Sequence, residues 1–401
     1  MLKKTFSMLL VLAFVLSSSA SVWAQDVASR VANLERAVQS LSESHIGNSG
    51  IEVSLGATTV FQGVLSNANG TTGRTTDATY SFDMIMQKEF ENGRAFAYLE
   101  AGQNAGVDGV EVNTLSAVNG DAGPSSSGSA LEVSELWYEH YLMDGDLTLK
   151  VGKIDVGAHL DNNAYAGSES TQFLGGAFID NPAIEYGGSL YLLGVNALYA
   201  ASDSLDIQVG VFEEDSNFGD ILDESFAYLE FNFKPQFMDR PGNYRVYGFV
   251  NGDKDTKLDD AGARKTRNPG LGLSFDQEVS DNVGMFFRFG WQNPDTEAVE
   301  AHYSIGSQIG GALWDRENDY AGIAIGQNFV AEQRGGTQAT GINNSTEGHL
   351  ELYYSYAFTD YLTISPHYQL VWNPNGVSEG NQGANSGAIS VVSLRTQLNF
   401  G

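Results

Sequence analysis

From residue 51 onward, apolar side chains recur at every second position. Leu205, Ile207, Val209 and Val211 alternate with Asp206, Gln208, Gly210 and Phe212, and Val283, Met285, Phe287, Phe289 and Trp291 alternate with Gly284, Phe286, Arg288 and Gly290. Leu350, Leu352, Tyr354 and Tyr356 stand opposite His349, Glu351, Tyr353 and Ser355, and Val392, Leu394 and Leu398 opposite Ser393, Arg395 and Gln397. Successive side chains of a strand point to opposite faces, so the pattern predicts strands with one oily and one wet face. It predicts about sixteen of them: 51–64, 78–90, 94–104, 131–143, 147–156, 185–201, 205–214, 224–233, 243–253, 268–279, 282–292, 299–311, 318–329, 347–358, 361–372 and 388–400. Tight turns such as Glu91-Asn92-Gly93, Asp144-Gly145-Asp146 and Thr359-Asp360 alternate with mostly long polar loops near 65–77, 105–130, 157–184, 215–223, 254–267, 293–298, 330–346 and 373–387.

An all-β transmembrane antiparallel up-and-down barrel needs that asymmetry. Its backbone must be fully paired in lipid, with short turns at the periplasmic rim and long loops outside. An exported β-sandwich would not require long and short connections to alternate along the whole chain. The aromatic positions Tyr191, Tyr244, Trp291, Tyr361, Trp372 and Phe400 suit two interfacial girdles.

The first 50 residues read differently. Lys3 and Lys4, an apolar run Met8–Leu16 and the small residues of Val22-Trp23-Ala24 form a signal peptide over 1–24. Residues 25–50 hold a helix and linker, expected in the periplasm: Val27, Val31, Leu34, Val38 and Leu41 keep heptad spacing over 26–45, for only two heptads. The barrel then takes 51–401. After the signal peptide no stretch approaches ~18 consecutive apolar residues, which excludes a membrane helix.

Charge and composition narrow the chemistry. The chain of 401 residues carries 50 acidic and 21 basic side chains, a formal charge of −29, and no cysteine. This excludes a disulfide scaffold, a Cys-ligated metal and a cysteine nucleophile, and disfavours nucleic acid as a partner. The histidines His45, His140, His159, His302, His349 and His367 are scattered, without a serine or acid at triad spacing. Asp253-Lys254-Asp255 with Asp259-Asp260 lacks the turn glycine and closing glutamate of a calcium loop. No catalytic residue, metal or cofactor is therefore expected.

The segment Val151-Gly152-Lys153-Ile154-Asp155, followed by Asp161-Asn162-Asn163-Ala164-Tyr165-Ala166, Thr171-Gln172-Phe173-Leu174 and Asn181-Pro182-Ala183-Ile184-Glu185, resembles the carbohydrate-selective porins of the OprB type. Glu351-Leu352-Tyr353-Tyr354, Leu362-Thr363-Ile364-Ser365-Pro366 and Leu394-Arg395-Thr396-Gln397-Leu398-Asn399-Phe400 resemble that family's last strands. The resemblance implies a sixteen-stranded barrel in the outer membrane of a Gram-negative bacterium and diffusion of sugars through it. Two features depart from the family pattern: Gly401 follows the closing aromatic Phe400, and the heptad helix precedes the barrel.

A barrel of this size encloses water, so something must narrow it before it can select. The 157–184 loop is the candidate constriction: Asp161, Asn162, Asn163, Glu169, Gln172, Asp180 and Asn181 could hydrogen-bond hydroxyl groups while Tyr165 and Phe173 offer faces to sugar rings. On the strands, Lys150, Glu230, Arg245, Arg288, Glu351 and Arg395 fall on the wet face and are expected to point into water, as rungs around an uncharged solute. Expected partners are outer-membrane lipid, small sugars or other small solutes, the barrel assembly machinery and, through 26–45, a second copy or peptidoglycan. Two readings compete with a sugar channel. Acidic loop residues including Asp108, Asp121 and Glu332 favour a cation-preferring general porin, and the heptad helix favours a structural envelope anchor.

Overall fold

The computed structural model describes residues 50–66, 76–109, 112–121, 131–187, 189–214, 224–255, 257–258, 266–335, 346–376 and 387–400. The expected signal peptide and the heptad helix lie outside them. Contacts divide the chain into one unit of Met1–Glu52 with Phe400 and a second of Val53–Asn399 with Gly401, and the barrel is built on the second.

Its strands are β1 (Glu52–Ser66), β2 (Thr76–Phe90), β3 (Gly93–Gln103), β4 (Leu131–Leu142), β5 (Leu147–Asp155), β6 (Tyr191–Ser202), β7 (Leu205–Glu213), β8 (Ser225–Phe233), β9 (Gln236–Phe237), β10 (Arg240–Asp255), β11 (Thr266–Ser280), β12 (Val283–Gln292), β13 (Val299–Gly310), β14 (Tyr320–Val330), β15 (Glu347–Ala357), β16 (Leu362–Trp372) and β17 (Ile389–Phe400). The two-residue β9 folds back on β10 within a turn, pairing Phe237 with Arg240. The other sixteen pair antiparallel with their chain neighbours, β8 with β10 across that turn, and β1 pairs with both β2 and β17, so the sheet closes. Closure leaves no unpaired edge in lipid.

Turns and loops alternate as expected except around β13, where the connection 311–319 on the turn side is longer than 293–298 on the loop side. Tight turns need backbone that most residues avoid: Met143, Asp144 and Gly145 run through φ of 54°, 58° and 100° between β4 and β5, and a glycine there removes the Cβ clash. On the outside, Phe61, Leu136, Val151, Val209, Leu271 and Ile323 are exposed, as a lipid-facing belt requires.

The inside departs from a simple wet face. Of the first expected residues of the sixth strand, 185–187, 189 and 190 are not strand; they finish a long inward segment. With β4–β8 and β10 that segment forms an apolar cluster containing Trp137, Ile154, Leu160, Phe212, Phe226 and Phe249. Part of the lumen is therefore packed as a protein core. Tyr191 lines an interior cavity instead of joining a girdle.

Candidate functional site: two loops folded into the barrel

The 156–190 segment enters the barrel and is held there by strand side chains gripping its backbone. Arg288 on β12 is 1% exposed. Its Nε lies 2.5 Å from Asp161 Oδ2, while its terminal nitrogens donate to the carbonyls of Phe178 (2.6 Å), Ala166 (2.7 Å) and Asp161 (3.1 Å). Arg395 on β17 donates to the carbonyls of Glu169 (2.7 Å) and Gln172 (2.8 Å). Glu351 on β15 does the complementary job: each carboxylate oxygen accepts a backbone N–H at 2.8 Å, from Leu174 and Gly175, with His367 Nδ1 also at 2.8 Å. Glu230 on β8 accepts the N–H of Asp161. Charge-assisted bonds of this kind are among the stronger ones, and in a low-dielectric interior losing one partner is costly.

Shape complements charge. Phe173 and Phe178, the latter on the one-turn helix α1 (Gly176–Ile179), pack with Phe286 and Tyr353. A Cβ on Gly284 would stand 2.0 Å from the Tyr165 ring, and one on Gly290 2.5 Å from Asn181. The inward row of β12, Gly284-Phe286-Arg288-Gly290, is thus a seat for this loop.

The 104–121 segment, expected at the external mouth, folds inward as well. Glu347 on β15 accepts the backbone N–H groups of Leu115, Ser116 and Asn375, and Asp108 accepts those of Val118 and Asn119. Val107, Val112 and Val118 pack against Val371, Ile389 and Val391. The two loops also bond to each other, Gly120 N–H to the Leu174 carbonyl (2.7 Å) and Gly176 N–H to that of Ala117 (2.8 Å).

Between the loops and the wall lies a cavity of about 340 Å³, lined by Glu100, Asp121, Asp155, Asp161, Asn162, Glu169, Asp180, Tyr186, Tyr191 and Arg288, among others. Burial raises the carboxyls of Asp121 and Asp161 to about 6, the latter despite Arg288, and that of Glu169 to about 8; neighbouring acids push Glu169 further in the same direction. Asp180 is raised for the same first reason, burial.

The expected residues therefore separate. Asp161, Asn162, Glu169 and Asp180 reach the cavity. Phe173 is fully buried in the loop core, and Asn163 and Asn181 are spent on Ser274 and on Tyr247. Gln172 closes its own loop through Gly167 and Ala164, and Tyr165 rests half-buried on Gly284.

The six strand charges face inward but are buried at 9% exposure or less instead of pointing into water. Arg288, Arg395, Glu351 and Glu230 meet a loop where solvent was expected, and Arg245 pairs with Asp276 at 2.6 Å. Lys150 sits between His159 (3.0 Å), Glu139 (3.6 Å) and the Trp137 ring (3.8 Å). His349 pairs with Glu347 at 2.7 Å, and Glu351 takes His367. Glu100, Asp155, Tyr186 and the anchor Glu347 escaped the sequence reading, which put Asp121 at the external mouth and Tyr191 in a girdle. Glu347 shares the inward parity of Glu351, a signal that was available.

A closed sixteen-strand barrel with an oily exterior and loops bound inside it defines a channel of the porin class. Residues 93–400 match the carbohydrate-selective porin, OprB family, and the chain belongs to that family of the outer membrane. It is 23% identical over 305 residues to Porin B of Pseudomonas aeruginosa, an alignment covering 63% of this chain and 66% of that one, a little under two thirds of the relative's length. Among solved structures it resembles the high-pH structure of Pseudomonas putida OprB, with a TM-score of 0.75 at 18% identity, covering 89% of this chain and 96% of that one. The outer-membrane channel DcaP of Acinetobacter baumannii gives 0.55 at 12% identity, covering 87% and 97%. At these identities the structural likeness speaks for the fold.

Proposed function

We propose that this chain lets carbohydrates and other small solutes diffuse passively across the outer membrane, through a hydrated lumen narrowed by the 104–121 and 156–190 loops. The observation that carries this is the gripped pair of inward loops: buried arginines and glutamates hold backbone, while Asn162, Tyr186, Tyr191 and the acids line the space between loops and wall. Polar groups that bind a hydroxylated solute weakly draw it in and still release it. In this reading Asp161, Asn162, Glu169 and Asp180 contact solute, while Asn163, Gln172, Asn181, Arg288, Glu351 and Arg395 set the shape of the opening.

The acid-lined cavity favours a second reading, a general porin preferring cations. Liposome swelling with sugars of increasing size, beside single-channel current in simple salt with and without sugar, separates the two. Size-limited sugar entry with sugar-dependent current supports the first; sugar-independent current with strong cation preference supports the second. Residues 1–24 are read as a removed signal peptide and 25–50 as a periplasmic helix that contacts peptidoglycan or a second copy. Deleting 26–45 should then alter envelope attachment or oligomeric state and leave sugar uptake intact.

A further inference from the structure

The cavity between the loops is rich in negative charge and poor in positive. Among the described residues that line it the one cation is Arg288, already consumed by Asp161 and three carbonyls. Neither Glu169 nor Asp180 forms a salt bridge among the described residues, and both are half-buried on the cavity wall. Asp121, only 6% exposed, gives one carboxylate oxygen to Ser81 while its Oδ2 is buried without a hydrogen-bond partner among the described residues. Such an oxygen carries a desolvation cost that a donor entering the cavity would relieve.

The occupant is constrained from two sides. Among the described residues no group of three or more acids or histidines is arranged to hold a metal ion, while the cavity wall offers carboxylates that a positively charged group would satisfy. The volume, about 340 Å³, is at the small end of small-molecule sites. A compact solute joining a primary ammonium to several hydroxyl groups meets both requirements. The ammonium supplies three donors and a charge to the acids, and the hydroxyls suit the Asn162 amide.

We infer that the cavity is a selectivity site for amino-bearing sugars, passing them ahead of neutral sugars and turning back sugar acids. This rests on the sugar-channel reading and narrows it. Glu169, raised to about 8 chiefly by burial and further by Asp121, Asp180 and Asp155, is largely protonated near about pH 7 and releases that proton to solvent as an ammonium enters beside it.

The test compares glucose, glucosamine and glucuronate entry into proteoliposomes near about pH 7, with glucosamine also titrated as a blocker of single-channel potassium current. Wild type should admit glucosamine about tenfold faster than glucose, the ratio that about 1.4 kcal/mol of attraction produces, and glucuronate slowest. In Glu169→Gln/Asp180→Asn that ratio should fall toward one, heat-modifiable gel mobility staying as in wild type. Asp121→Asn should give a smaller fall, and the loop variant Glu332→Gln none. Equal entry of glucose and glucosamine in wild type overturns the inference and leaves the sugar channel standing. A ratio that survives the double variant, or falls as far with Glu332→Gln, overturns the site. Absence of any sugar entry overturns both readings.

Discussion

Two parts of the lumen wall use charge in opposite ways. Along β12 and β15–β17, every large ion is committed: Arg288, Arg395, Glu347 and Glu351 each bind two or more backbone groups of an inward loop. Around the cavity, Asp121, Glu169 and Asp180 line open space and form no salt bridge among the described residues. The first wall converts charge into shape, because saturated ions fix a backbone. The second keeps charge available, because unsaturated carboxylates attract whatever enters. A constriction needs both, and here they are carried by different residues.

Removing Arg288 should break the contrast most severely. Arg288→Met strands Asp161 and the carbonyls of Phe178 and Ala166 in the interior, a loss on the order of 3–5 kcal/mol for a broken buried pair. The expected result is a larger, noisier single-channel conductance with the barrel's heat-modifiable mobility retained. An unchanged conductance would mean that the loop does not depend on this wall.

Overfilling the seat is the next strongest perturbation. A Cβ at Gly290 already meets Asn181 at 2.5 Å, so Gly290→Leu should lift the 156–190 loop at a cost of roughly 1–3 kcal/mol. Faster entry of larger sugars in swelling assays would register it.

Acidity should affect the second wall more gently. Asp121 and Asp161 are raised to about 6 and Glu169 to about 8. Their neutral forms predominate below those values, so cation preference should grow as pH climbs through that range and shrink as it falls. Reversal potentials in a salt gradient between about pH 5 and 9 would show a rise of a few-fold; a flat profile would detach selectivity from these acids.

Strand pattern and turn chemistry made the barrel legible, since Arg288 or Glu351 must face the side opposite Phe287 or Leu352. They could not show what those side chains meet there. An inward arginine bathed in water and one clasping a loop have the same parity. The 104–121 segment was misplaced for a related reason: nothing in loop periodicity says which way a loop folds, although Val107, Val112 and Val118 needed an apolar surface and found it on β16 and β17. The cavity was the least legible part, because Glu100, Asp121, Asp155 and Tyr191 come from separate stretches that only the closed sheet assembles.

Glu347 and Glu351 hold amide N–H groups, and Arg288 and Arg395 hold peptide carbonyls, so these clamps read main chain and are largely indifferent to what each loop displays. The gate's frame is thereby uncoupled from its chemistry. Residues facing the solute can drift or be rewritten while the opening keeps its dimensions, which makes this barrel a chassis on which new preferences could evolve a few substitutions at a time.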